Sequence, residues 1–293
     1  MGALENHDPQ NLGRKLALAR EVFKAQYFQP ATALWRVFET EIVQDNLHGR
    51  GRGLDLGCGD GRLARVLFKH LPDLAWTGLD IDAEDVAIAR QMNVYQQFHI
   101  APGDKIPEAD NSFDLIFSNS VLEHIPPLDA VLGEVFRVLK PGGKFVITVP
   151  LTCLHDNLLW PRLLRFFGLQ GWAEKYLTHL DHRLAHINYL SAPEWQEKMR
   201  QHGFTPEQET LYLSRLATSW WETLANATGG LVYLLLGRGR KTTRQLQHST
   251  GMVNREHRWL GLVGYWLLMP VLLWTLTEKN MKHFSCLYLQ CTK

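Results

Sequence analysis

The run Gly53-Leu54-Asp55-Leu56-Gly57-Cys58-Gly59-Asp60-Gly61-Arg62 puts a carboxylate inside the end of an apolar strand pattern, just before a turn with three glycines spaced two apart. Leu63, Val66 and Leu67 then open an apolar helical pattern. A strand, a tight turn and a helix start let main-chain N–H groups approach a ligand closely. A turn built for pyrophosphate has little use for a negative charge such as Asp55, whereas a turn built for a cationic ligand does. Arg62 stands where a dinucleotide fingerprint needs its third glycine. More polar residues fall at later strand ends. Asp80 lies in Thr77-Gly78-Leu79-Asp80-Ile81-Asp82 and can accept from a ribose diol, and Asp104 follows in Ala101-Pro102-Gly103-Asp104-Lys105. Asn119 and Ser120 lead into Val121-Leu122-Glu123-His124.

The elements that must hold these residues alternate regularly. Strands are predicted at 52–56, 74–80, 94–100, 113–119 and 144–149, with helices at about 61–70, 83–92 and 127–139 between them. Leu139-Lys140-Pro141-Gly142-Gly143-Lys144 reads as a helix stop and turn. Two helices precede this region, Leu12 to Phe28 and Pro30 to about Leu47. Beyond Pro150 the rhythm breaks into apolar clusters mixed with charges. Ser191-Ala192-Pro193-Glu194 is a capping signature opening a helix, and strands are expected near 208–215 and over 284–291. The fold class is therefore α/β: a Rossmann-like doubly wound seven-stranded sheet with helices on both faces, plus a helical apolar insertion between the last two strands. In such sheets ligands sit outside the carboxyl ends of the strands, where every residue singled out above lies.

Taken in order, L-D-L-G-C-G-D-G, G-L-D-I-D, G-D-K-I-P, F-D-L-I-F-S-N-S-V-L-E-H and V-L-K-P-G-G resemble the class I methyltransferases that use S-adenosylmethionine. Within them the chain is most similar to the small-molecule group that includes ubiquinone-pathway-like enzymes. The likeness covers roughly residues 50–150. It implies S-adenosylmethionine as cofactor, with Asp55 orienting its ammonium and the backbone of Gly57, Cys58 and Gly59 against its methionine part. It further implies Asp80 on the ribose hydroxyls, Ile81 on the adenine, Asp104 with the Lys105 backbone at the adenine amino group, and Asn119 or the Ser118 carbonyl at the methionine end. His124 is the first candidate for a general base or an acceptor-orienting group, although an L-E-H turn can also be purely structural. His186 and Tyr189 are further catalytic candidates, with His155 and His182 behind them. His179, His182 and His186 would share one helix face, but no companion carboxylate pattern accompanies them and no metal site is expected.

The resemblance implies methyl transfer to a small or lipid-borne acceptor, such as a quinone, a lipid-linked glycan or a secondary metabolite. The alternatives are a nicotinamide-dependent oxidoreductase, or a non-catalytic cofactor-binding or membrane-scaffolding protein. The expected organisation is an N-terminal helical lid (1–48), a methyltransferase core (49–215, with a substrate lid at 151–190), the apolar insertion (216–283) and a final core strand (284–293). Trp259 to Thr277 runs for nineteen residues without a charge, long enough to span a bilayer as one helix. The apolar run Gly229–Gly237 and the basic residues Arg238, Arg240, Lys241 and Arg244 precede it. A monotopic contact of 229–277 with an anionic membrane surface is the favoured expectation, over a cap with Trp259, Trp266 and Trp274 in its core and over a spanning helix. The 293 residues are 45% hydrophobic and 21% charged, with a net charge of +1, which gives no electrostatic case for a nucleic-acid partner. Four cysteines without a C-x-x-C pair and a polar start without a signal peptide lead to an expectation of a cytoplasmic protein, peripheral on the inner face of a membrane.

Overall fold

The computed structural model describes residues 9–26, 29–230, 258–278 and 281–293. The chain divides into two compact units. One comprises Met1–Glu41, Cys153–Ala185 and Leu213–Ser285; the other comprises Ile42–Thr152, His186–Tyr212 and Cys286–Lys293. In chain order the described helices are α1 (Pro9–Ala25), α2 (Pro30–Asn46), α3 (Arg62–Leu67), α4 (Ala83–Ala89), α5 (Leu128–Val138) and α6 (Leu154–Asn157). They continue as α7 (Leu159–Phe166), α8 (Gln170–Leu184), α9 (Ala192–Gln201), α10 (Arg215–Ala225), α11 (Arg258–Leu267) and α12 (Met269–Leu276). The strands are β1 (Gly51–Leu56), β2 (Leu74–Asp80), β3 (Gln97–Ile100), β4 (Phe113–Asn119), β5 (Leu139–Pro150), β6 (Thr205–Ser214) and β7 (Phe284–Thr292).

The second unit carries a seven-stranded sheet in the order β3-β2-β1-β4-β5-β7-β6. Strands β1 to β5 run parallel, and β7 is antiparallel to β5 over Lys144↔Thr292 to Pro150↔Cys286. Continuous burial along Leu54–Leu56, Trp76–Asp80 and Phe145–Pro150 is what a sheet covered on both faces requires. Strand order reverses at β1, between β2 and β4, so the Asp55 turn ends the strand where a crevice forms. The predicted Rossmann-like sheet is therefore present. The predicted turn at 139–144 is instead part of β5: its pairing with β4 jumps from Phe113↔Leu139 to Leu115↔Lys144. Gly142, at φ +74, absorbs this bulge, so the Pro-Gly-Gly signal marks an irregularity inside a strand. The Ser191–Glu194 capping box forms as predicted and opens α9.

The described residues of the first unit are mainly helical. Phe23 of α1 packs edge-to-face on Tyr265 of α11, and Trp35 of α2 on Trp221 of α10. Glu222 is fully buried and accepts from the Leu159 and Trp160 N–H groups at 2.5 and 3.2 Å, satisfying orphan donors at the start of α7. The uncharged run at 259–277 is not one helix: α11 and α12 meet at 64°, because Pro270 in the first turn of α12 lacks a donor and restricts its predecessor. Among the described residues no single helix is long and apolar enough to cross a membrane. Trp259, Trp266 and Trp274, the core of the alternative cap, are exposed. Arg238, Arg240, Lys241 and Arg244 lie outside the described residues, as does most of the 229–237 run.

Candidate functional site

Three glycines shape the turn after β1. Gly57, Gly59 and Gly61 have φ of +82, +52 and +69, a backbone region that L side chains avoid. A Cβ on Gly57 would also come within 2.4 Å of Val121. The Gly57 and Cys58 N–H groups donate to the Leu79 carbonyl at 2.8 and 3.0 Å, tying the end of β1 to the end of β2. Gly59 borders open space, while its N–H donates to Asp80 Oδ2 at 2.8 Å. The other oxygen of Asp80 accepts from the Asp82 N–H at 3.0 Å. These two backbone donors fix the Asp80 carboxylate in place at the glycine turn. Asp82 caps α4, accepting from the Glu84 and Asp85 N–H groups at 2.9 and 3.3 Å. Ile81, between the two aspartates, is exposed.

Asp55 is buried, and the Tyr95 hydroxyl donates to its Oδ2 at 2.6 Å. Burial pushes its carboxyl up to about 7, an effect that the Tyr95 hydrogen bond opposes and the Asp80 charge reinforces. Two acids facing one glycine turn are the complement of a ligand carrying both a positive charge and a diol. Cys58 is no nucleophile: burial and the neighbouring carboxylates push its thiol far above the usual range. Asp104 and Lys105 follow β3 in a turn closed by the Lys105 N–H on the Pro102 carbonyl at 3.1 Å. Asn119 ends β4, its Oδ1 accepting from the Thr148 hydroxyl at 2.9 Å, and the Ser118 hydroxyl donates to the Leu56 carbonyl at 3.1 Å.

A second cluster forms where the 3-10 turn Leu122–His124 meets residues 186–189, both in the sheet-bearing unit. The His124 and His186 rings lie 5.0 Å apart, and His186 Nδ1 shares a hydrogen bond of 2.7 Å with the Tyr189 hydroxyl. His124 Nε2 stands 3.8 Å from the Glu123 carboxylate. The Glu123 carbonyl accepts from the Ile187 and Asn188 N–H groups at 2.8 and 3.0 Å. The Asn188 amide donates to the Leu122 and Ile125 carbonyls, each at 2.8 Å. This staple fixes the two segments against each other. Ligand atoms of Glu123, His124 and His186 all lie within 4.8 Å of one another, a cluster that one divalent cation could bridge.

The structure thus brings His124 together with His186 and Tyr189, which lie far from it in sequence. It separates the histidines expected on one helix face: α8 ends at Leu184 and Ala185 turns left-handed at φ +58, leaving His179 and His182 on the helix and His186 beyond it. His155 belongs to the helical unit, paired with Asp181 at 2.9 Å. Sequence reasoning missed Tyr95, Glu123 and Asn188. Tyr95 carried no signal, whereas the Glu123–His124 adjacency was itself a clue. Asp80→Ala is expected to weaken cofactor affinity by about 1–3 kcal/mol, the scale of a charged hydrogen-bond set; calorimetry checks this, and unchanged affinity would remove Asp80 from the site.

A methyltransferase-domain family model matches residues 27–209. The demethylmenaquinone methyltransferase of Lactobacillus johnsonii is 32% identical over 167 residues, covering 52% of this chain and 66% of that protein. The ubiquinone/menaquinone biosynthesis C-methyltransferase of Cupriavidus metallidurans is 29% identical over 215 residues, covering 70% of this chain and 81% of that protein. The matches span 66%, 54% and 49% of the length of three such curated relatives. In fold, the chain is similar to an S-adenosylmethionine-dependent methyltransferase structure from Thermotoga maritima, with a TM-score of 0.51, 15% identity, and coverage of 94% of this chain and 99% of that one.

Proposed function

Because the chain belongs to the class I S-adenosylmethionine-dependent methyltransferases, we propose that it transfers the cofactor's methyl group to a small or lipid-borne acceptor. The observation that carries this reading is the buried Asp55 beside Asp80 at one glycine turn, a donor set suited to an ammonium and a ribose diol. The bound cofactor supplies an electrophilic methyl on a sulfonium. The chain's own residues bind and orient. Asp55 would pair with the ammonium, Asp80 would accept from the ribose hydroxyls, and the Gly57–Cys58–Gly59 backbone would hold the methionine part. Ile81 would pack on the adenine, Asp104 with the Lys105 backbone would hold its amino group, and Asn119 or the Ser118 carbonyl would hold the methionine end.

An in-line displacement asks mainly for positioning and exclusion of water. An alcohol, phenol or protonated amine acceptor must also lose a proton. His124 takes that proton, the Glu123 carboxylate stabilises the resulting imidazolium, and His186, held by Tyr189, orients the acceptor. Family membership and Arg62 in place of a third glycine together set aside the nicotinamide alternative. Relatives named for demethylmenaquinone and for fatty-acid O-methylation support an amphiphilic acceptor, and with it a peripheral enzyme working at the inner face of a membrane.

The decisive experiment incubates the protein with methyl-labelled cofactor and, separately, lipid and polar extracts. Label is expected in the lipid fraction; label confined to the polar fraction would redirect the acceptor to a soluble metabolite, and none in either would overturn the enzyme reading. Dialysis against a chelator is expected to leave turnover unchanged. A loss restored by a divalent cation would instead assign Glu123, His124 and His186 to metal ligation.

A further inference from the structure

We propose that the corner between α7 and α8 seats this protein on an anionic lipid surface, with Phe166, Phe167 and Trp172 entering the headgroup layer. The proposal rests on the amphiphilic-acceptor reading for its purpose only, and the contact is testable without cofactor or acceptor. Phe166, Phe167 and Trp172 are 81%, 70% and 66% exposed, with Leu163 and Leu169 exposed around them. The corner is nevertheless ordered by its own backbone. Phe167, Gly168 and Leu169 donate to the Leu163, Arg165 and Leu164 carbonyls at 3.1, 3.0 and 2.8 Å, and Trp172 and Ala173 both donate to the Leu169 carbonyl at 3.1 Å. Gly168, at φ +76, makes the turn. The two phenylalanine rings pack edge-to-face at 5.2 Å. Meanwhile Leu158, Pro161, Ala173, Leu177 and Leu180 take the buried positions of these helices. Among the described residues the outward aromatics therefore have no part in the unit's core, and a cluster of exposed apolar side chains of this kind marks an interaction site.

Charge selects the partner. Exposed Arg162 and Arg165 on α7 and Lys175 on α8 flank the aromatics, the Lys175 ammonium lying 5.6 Å from the Trp172 ring centroid. Between residues 159 and 178 the one acid is Glu174, and just before that stretch the exposed Asp156 lies 3.7 Å from Arg165. Aromatic side chains with basic neighbours suit the boundary between anionic headgroups and acyl chains. A second copy of the chain suits this surface less well, because an isologous contact would set the same cations against each other. The location also fits the distribution of aromatics. Trp160, Phe166, Phe167, Trp172, Trp259, Trp266 and Trp274, the exposed tryptophans and phenylalanines among the described residues, all belong to the helical unit. The large exposed apolar residues of the sheet-bearing unit are aliphatic: Ile81, Ile100, Ile187 and Leu211.

The test is flotation of the whole protein with vesicles of phosphatidylcholine alone or mixed with phosphatidylglycerol, in the absence of cofactor. The wild type is expected to float with the anionic vesicles, and Phe166→Ser/Phe167→Ser/Trp172→Ser to stay in the soluble fraction with an unchanged circular-dichroism melt. Each of Arg162→Gln, Arg165→Gln and Lys175→Gln is expected to weaken anionic-vesicle binding about fivefold, the scale for one surface cation. Should the triple variant fail to fold, Phe166→Ser alone and the three charge variants carry the test. Equal flotation of wild type and variants, or no flotation of the wild type, overturns the proposal. A dimer in light scattering that the aromatic variant dissolves would assign the corner to self-association. Loss of methyl transfer with flotation intact would instead count against the enzymatic reading.

Discussion

His124→Ala is expected to lower the rate of methyl transfer by two to four orders of magnitude, about what a positioned general base contributes, with cofactor affinity unchanged. The split between rate and affinity follows from placement. His124 stands in the turn after β4, stapled through Asn188 to the segment carrying His186 and Tyr189, whereas Asp55 is the penultimate residue of β1 and Asp80 the last of β2. The rate of wild type should rise with pH along a limb that the variant lacks, since a base works only when deprotonated. Glu123→Gln should retain the rings' positions while removing the charge that stabilises the imidazolium, and so reproduce part of the loss. Measured turnover equal to wild type in His124→Ala would give the histidine a structural role and imply an acceptor that needs no base.

Asp55→Asn is expected to cost about 3–5 kcal/mol of cofactor affinity, the scale for breaking a buried ion pair by neutralising one partner. The same residue predicts a pH dependence whose sign can be worked out. With no cation beside it, the Asp55 carboxyl holds its proton below about 7; an ammonium beside it favours the anion, so binding in acid must expel the proton. Affinity should therefore rise about tenfold per pH unit up to about pH 7 and level off above it. Asp55→Asn should bind weakly with a flat profile. Tyr95→Phe removes the one hydrogen bond that opposes the upward shift, so its break point should move to higher pH. Calorimetry in buffers of different ionisation enthalpy counts the released proton directly; zero protons at pH 6 would sink the assignment.

Much of the sheet was legible because parallel strands buried on both faces write themselves as continuous apolar runs. The carboxylates that the notation of spacing picked out fall at strand ends for the same reason. What escaped depended on contacts distant in sequence or on backbone states without a residue signature. Ala185 takes a left-handed conformation that glycine or asparagine would have announced, so a helix through His186 was the natural expectation. Tyr95 reaches Asp55 from just before β3: the strand expected over 94–100 begins only at Gln97, and nothing in the sequence pairs that tyrosine with a carboxylate forty positions earlier. Asn188 acts through two backbone carbonyls, and backbone acceptors leave no trace in a sequence. The break between α11 and α12 is different in kind, since Pro270 stood in plain view inside the apolar run.

The last strand has a consequence for how the molecule is made. β7 lies between β5 and β6 in the sheet, and its seven register pairs with β5 bring residues 286–292 to partners more than a hundred positions earlier. During synthesis β5 emerges from the ribosome long before its neighbour exists, exposing a row of unpaired donors and acceptors while residues 151–285 are translated. The edge of β5 stays open until β7 is made, and the folded yield should respond to translation speed over the residues between the two strands.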